Sequence, residues 1–191
     1  EDFGYYTISS FIAFSIFRVY QPFIASVNPR LIQLVNGQNK SKLIEFYHLI
    51  CQIKSFLIIP LVIIVSLFSF EILSIYTQNL ELAQKSYIIL SLLTLSVACN
   101  AILTIPYKLQ LASNYSSLAL KINIIGSFFF APSMYYFSIN YGILGVATIH
   151  LTYNFIIIFF SIHLMHKVIL SKEKYQWFFY DVLSSVLLNS I

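Results

Sequence analysis

The chain has 191 residues, of which 59% are hydrophobic and only 9% charged, with a formal net charge of +4 at pH 7. A mean hydropathy of +0.81 argues against a water-soluble domain, because a chain of this size has too few charged side chains to cover a folded surface. The composition predicts an all-α integral membrane protein, a polytopic helical bundle whose solvent is the bilayer.

Apolar runs recur at about 5–27, 53–75, 87–106, 122–139 and 143–165. Each can cross a hydrocarbon core of ~30 Å at ~1.5 Å per residue, which predicts about five transmembrane helices. The run 178–191 is too short to span alone and is expected to be a partial sixth helix. A start at Glu1 rather than Met, and an end at Ile191 within an apolar run, predict a piece of a longer protein. Nothing before Tyr5 has the basic region of a signal peptide.

The first run carries one cation, Arg18, about 13 residues from its start and therefore roughly 20 Å deep. An arginine there costs roughly 2.5 to 3.5 kcal/mol on insertion scales, so it is expected to face a polar cavity or a partner. Two readings stand: attraction of an anionic substrate, or bonding to carbonyls freed near Pro22 in plain helix packing. After this run come Arg30, Lys40 and Lys42, with Lys54 at the far edge of a predicted loop. Within that loop Leu43, Tyr47 and Ile50 recur at i, i+4, i+7 opposite Lys42, Glu45 and His48, the pattern of an interfacial helix.

The next connection holds Glu71, Glu81 and Lys85, the third Lys108 and Lys121, the fourth only an Asn140-Tyr141-Gly142 turn, and the fifth His163, His166, Lys167, Lys172 and Lys174. Basic loops alternate with acidic or neutral ones, which places the basic side in the cytoplasm. Many aromatic side chains, among them Tyr5, Tyr47, Tyr76, Tyr107 and Trp177, fall near run ends, as interfacial anchors do. Pro60, Pro106 and Pro132 fall within or at the ends of runs and are expected to kink them.

No hydrolase, phosphate-loop or zinc-protease pattern is present, so no catalytic residue, metal site or cofactor is expected. Cys51 and Cys99 lack ligand spacing and read as apolar packing residues. Asn100, Asn123, His150 and Asn154 are the other polar groups at membrane depth, with His150 and Asn154 on one helix face. They are expected either to line a cavity or to serve as interhelical packing bonds.

Certain strings are more specific: Phe3-Gly4-Tyr5, Pro29-Arg30 with Gln33-Leu34, Tyr47-His48, Cys51-Gln52 before Pro60, and Glu71-Ile72-Leu73. Then come Ile105-Pro106-Tyr107-Lys108-Leu109-Gln110-Leu111-Ala112, Asn123, Tyr141-Gly142 with Gly145, Asn154, His166-Lys167, and Lys174-Tyr175-Gln176-Trp177 with Asp181. In order and spacing this series resembles the oligosaccharide flippases of bacterial surface-polysaccharide pathways, the O-antigen type of the multidrug/oligosaccharidyl-lipid/polysaccharide exporter superfamily. Two positions depart from the pattern, Gln78 and Asn114, where the resemblance leads one to expect glycine.

The resemblance implies the C-terminal lobe of a two-lobe exporter in the bacterial inner membrane, whose N-terminal lobe would lie outside this sequence. It implies transport of an undecaprenyl-diphosphate-linked oligosaccharide by alternating access, with membrane lipids as surroundings, no nucleic acid as partner and no covalent chemistry. Substrate contacts are then expected from Arg18 in the cavity and from Arg30 and Lys108 at the cytoplasmic mouth. Gln52, Gln110 and Asn123 would meet sugar hydroxyls, while Asn100, His150 and Asn154 serve the cavity or helix packing. For Arg30 and Lys108 plain positive-inside topology is an equal alternative. A related drug or lipid-precursor exporter, or a membrane-bound polymerase or acyltransferase, are the competing functions.

Overall fold

The computed structural model describes residues 2–37 and 39–183, which form helices joined by short turns and contain no strand. The helices are α1 (Asp2–Asn36), α2 (Lys40–Leu67), α3 (Ser69–Thr77), α4 (Leu80–Ala112), α5 (Ser116–Val168) and α6 (Lys174–Gln176), which runs into a π-helical turn, Trp177–Leu183. Among the described residues four helices are long and apolar enough to cross a bilayer: α1, α2, α4 and α5. Most of the expected partial span over 178–191 lies outside the described residues.

The 53 residues of α5 are two helical arms, 116–141 and 143–168, meeting at Gly142 with φ 61° and ψ −148°. Glycine reaches that corner without the Cβ clash another residue would suffer. The arms fold back on one another, since Gly126 faces Tyr153 and the Phe130 and Tyr153 rings meet at a tilt of 39° with centroids 4.4 Å apart. The turn expected at 140–142 is therefore the corner of an antiparallel helical hairpin. Gly145 completes it, because a Cβ there would press into the Phe137 carbonyl and the Tyr141 side chain.

The long loop expected after the first run does not form. α1 continues through Pro22 and Pro29 to Asn36, and α2 starts at Lys40, where the Asn39 side chain caps the helix by accepting from the Lys42 N–H at 3.1 Å. Leu43, Tyr47 and Ile50 do make a stripe, but it is buried in the bundle and continues along α2 through Cys51, Lys54 and Ile58. One uninterrupted buried face favours one long helix over a separate interfacial one. The 28 residues of α2 extend about 42 Å, beyond the ~30 Å of a hydrocarbon core. The expected run 53–75 is in turn divided at Phe68 (φ −101°, ψ 29°), where α3 begins.

Gln78 and Asn114 hold φ of 52° and 60°. These are the two places where glycine was expected, so the chain keeps the left-handed backbone without the residue that adopts it most cheaply.

Helix directions alternate. The Ser9 hydroxyl donates to the Ser86 carbonyl while Phe17 and Gln21 lie beside Asn100 and Thr104, so α1 and α4 are parallel. Lys54 meets Ala101, which with the short α1 to α2 turn sets α2 against both. Ser96 and Asn100 meet His150 and Asn154, so the 143–168 arm runs with α4. The arrangement gathers Arg30, Lys40, Lys42, Lys108, Lys121 and Lys167 toward one end, and Glu71 and Glu81 toward the other. α4 packs against α1, α2, α3 and α5, and its fully buried Leu90, Leu93, Val97, Ala101, Ile105 and Leu109 form the centre of the core.

Lys54, expected at the edge of a basic loop, is 1% exposed. Its position follows from Pro106. Proline has no N–H, so the Ile102 carbonyl four residues earlier loses its intrahelical donor. The Lys54 ammonium takes that place, donating to the Ile102 carbonyl at 3.0 Å and to the Ala101 carbonyl at 2.5 Å.

Candidate functional site

A cleft of about 340 Å³ opens between α1, the last turns of α4 and both arms of α5. Phe17, Tyr20 and Gln21 come from α1, Asn100, Thr104, Lys108 and Gln110 from α4, and Ile122, Asn123, Ile157 and Ser161 from the arms. Among so many apolar side chains this concentration of amides, hydroxyls and one ammonium stands apart. Gln110 is 1% exposed, yet neither its Nε2 nor its Oε1 has a hydrogen-bond partner among the described residues. A buried unpaired amide costs about 1–3 kcal/mol, a penalty that a ligand able to both accept and donate removes.

Asn100 and Phe17 also line a smaller pocket of about 230 Å³ next to it, with Ser96, Phe130, His150, Tyr153 and Asn154. Here Ser96 is the hub. Its Oγ lies 2.7 Å from His150 Nδ1 and donates to the His150 carbonyl at 3.1 Å. Asn154 Nδ2 donates to Ser96 Oγ and to the His150 carbonyl, both at 2.9 Å. The Asn100 amide donates more weakly to Asn154 Oδ1 at 3.4 Å. His150 also sits between the rings of Phe14 and Phe130, with centroids 6.2 and 6.0 Å away. This network ties α4 to the 143–168 arm, as polar bonds between membrane helices do, and it forms one wall of the pocket.

A third polar group lies on the basic half of the bundle. His48 on α2 holds Asp181 Oδ2 at 2.5 Å through Nδ1 and Glu173 Oε2 at 3.2 Å through Nε2. Gln52 Nε2 donates to Asp181 Oδ1 at 2.9 Å. An imidazole donates from both nitrogens only when both carry a proton, and two carboxylates satisfy that form. Asp181 is fully buried, so the cluster pins the segment after α5 onto α2, with Trp177 buried beside His166.

The cleft brings together Lys108, Gln110, Asn123 and Asn100, with the His150 and Asn154 pair beside them. The other expected contacts lie elsewhere. Arg18 is exposed, with its guanidinium 5.7 Å from the Phe11 ring centroid. Arg30 donates to Gln33 Oε1 on its own helix at 2.5 Å, and Gln52 belongs to the His48 cluster. Sequence reasoning missed Ser96, Tyr20, Gln21 and Thr104, since single hydroxyls and amides in apolar runs carry no pattern. Tyr20 and Gln21 are neighbours in the chain, and their identities give no sign of which side of α1 faces α4.

A scan against protein-family models, a search of curated proteins and a search of solved structures each returned no match.

Proposed function

We propose that the protein is a polytopic membrane transporter of the oligosaccharide-flippase kind. It crosses the bacterial inner membrane five times within these residues and moves a diphosphate-linked, polyhydroxylated lipid between leaflets in surface-polysaccharide biosynthesis. The observation that carries this reading is the unpaired, buried Gln110 amide beside Lys108 and Asn123 in a polar cleft. The strings 105–112, 141–145 and 174–177 point to the same family. The collection of basic residues at one end of the bundle supports an orientation with that end in the cytoplasm.

In this reading Lys108 supplies a point charge for a phosphate oxygen, while Gln110, Asn123 and Asn100 exchange hydrogen bonds with sugar hydroxyls. Phe17, Tyr20 and Tyr107 add apolar faces against which sugar C–H groups pack. The 116–141 arm is the mobile wall. Ala119 is its one buried residue, and the arm is bounded by left-handed Asn114 and by Gly142. Arg18, exposed on α1, is assigned to a surface completed by a further lobe of the same protein.

The test is transport by full-length protein in proteoliposomes. Labelled lipid-linked oligosaccharide moving between leaflets supports the reading. Efflux of organic cations without movement of that lipid assigns the protein to drug export instead.

A further inference from the structure

On the far side of the Phe130 and Tyr153 pair the two arms of α5 leave an apolar groove of about 500 Å³. Ile125, Gly126 and Phe129 line it from one arm, Thr152, Ile156 and Phe160 from the other. Its hydroxyls are few, and Thr152 spends its own on the Thr148 carbonyl at 2.9 Å. The groove and the polar cleft share two wall residues, Ile122 and Ile157. The groove and the smaller pocket share Phe130 and Tyr153. The polar and apolar spaces are thus two sides of one thin partition.

We propose that this groove holds a single isoprenoid or alkyl chain of the same anionic amphiphile whose head occupies the Lys108 cleft, so that the α5 hairpin is a lateral portal. The proposal rests on the transporter reading above and adds the site of the hydrophobic chain. Three observations carry it. From Ile122 to Ser133 the groove runs eleven residues along its arm, about 16 Å, which is half of a ~30 Å hydrocarbon core and so the depth of one leaflet. At its Ile122 end lie Lys108 and the exposed Lys121, cations placed where a chain would meet its phosphate. At Gly126 a Cβ would stand 2.5 Å from the Tyr153 hydroxyl, so the missing side chain lets Tyr153 tuck under Gly126 and keeps the groove open above it.

The experiment uses full-length protein in phosphatidylcholine nanodiscs with farnesyl phosphate bearing a chain-terminal diazirine. Photo-adducts are expected in peptides covering 122–133 and 149–164, lost with excess unlabelled farnesyl phosphate. Thr152→Trp, which fills the groove, is expected to lower labelling several-fold, and Ile125→Trp fills it from the opposite wall should the first variant not fold. Phe155→Trp, on an exposed face outside the groove, is expected to label as wild type. Adducts spread evenly over all helices and untouched by the competitor mean annular lipid only and overturn the proposal, as does full labelling of a folded groove-filling variant.

The head is measured separately, by protection of Thr104→Cys, which lines the same cleft as Lys108, from a water-soluble thiol reagent by a soluble glycosyl diphosphate. Protection without groove adducts overturns the chain site and leaves the transporter reading standing. Groove adducts without protection remove the cleft reading, and with it the joined head and chain.

Discussion

Replacing Lys54 by methionine tests how the bundle tolerates a proline in its central helix. Methionine keeps the length of the side chain and removes the ammonium. The Ala101 carbonyl still has the Ile105 N–H one turn on, but the Ile102 carbonyl, facing Pro106, is left with no donor. An orphaned buried carbonyl costs about 1–3 kcal/mol. Two charge-assisted bonds are lost as well, at about 1.5–3 kcal/mol each. Their loss is offset by no longer burying an ammonium, whose effective penalty is several kcal/mol. Lys54→Met is therefore expected to destabilise by about 1–3 kcal/mol, set by the orphan. Pro106→Ala restores an N–H opposite Ile102, so in that background Lys54→Met should cost at least ~1 kcal/mol less. Denaturant unfolding in detergent micelles, followed by fluorescence of Trp177, the chain's single tryptophan, measures all four corners of the cycle. Additivity to within ~0.5 kcal/mol would show that Lys54 does not serve the Pro106 break.

Three further outcomes follow from the geometry. Asp181→Asn leaves His48 with one carboxylate instead of two and is expected to cost about 3–5 kcal/mol as a broken buried pair; limited proteolysis between 169 and 173 should quicken, and unchanged cleavage contradicts the pinning role. Gly145→Ala drives a methyl into the Phe137 carbonyl and is expected to lose about 1–3 kcal/mol by overpacking, read as a lower thermal midpoint in detergent. Gln78→Gly relieves a left-handed backbone at the end of α3 and is expected to stabilise by about 1 kcal/mol; a loss of stability would show that the Gln78 side chain holds the turn.

The alternation of apolar runs and basic connections made the helical bundle and its polarity legible, because hydrophobic length and charge position act directly on each helix. The boundaries were less legible. Residues 28–52 looked like a loop since Pro29, Arg30, Lys40 and Lys42 interrupt the apolar pattern, yet Pro29 is accommodated within α1 and the lysines begin α2. The Lys108, Gln110 and Asn123 grouping was readable as chemistry from the strings that contain those residues. Its companions Tyr20, Gln21 and Thr104 depend on which faces α1 and α4 turn toward each other, which no single run records. The placements of Lys54 and His48 follow from partners about fifty and more than a hundred residues away, Ile102 and Asp181, a distance at which local pattern carries nothing.

The central claim, that the cleft is kept polar for a ligand at the expense of the fold, is tested most directly by Gln110→Leu. Leucine removes a buried amide with two unpaired atoms, so unfolding of the variant should require about 1–2 kcal/mol more than wild type. Its rate of lipid-linked oligosaccharide transport in proteoliposomes should fall at least about tenfold, the equivalent of a lost interaction of ~1.4 kcal/mol. A variant that is both more stable and inactive meets the prediction, whereas wild-type transport by the leucine variant contradicts it.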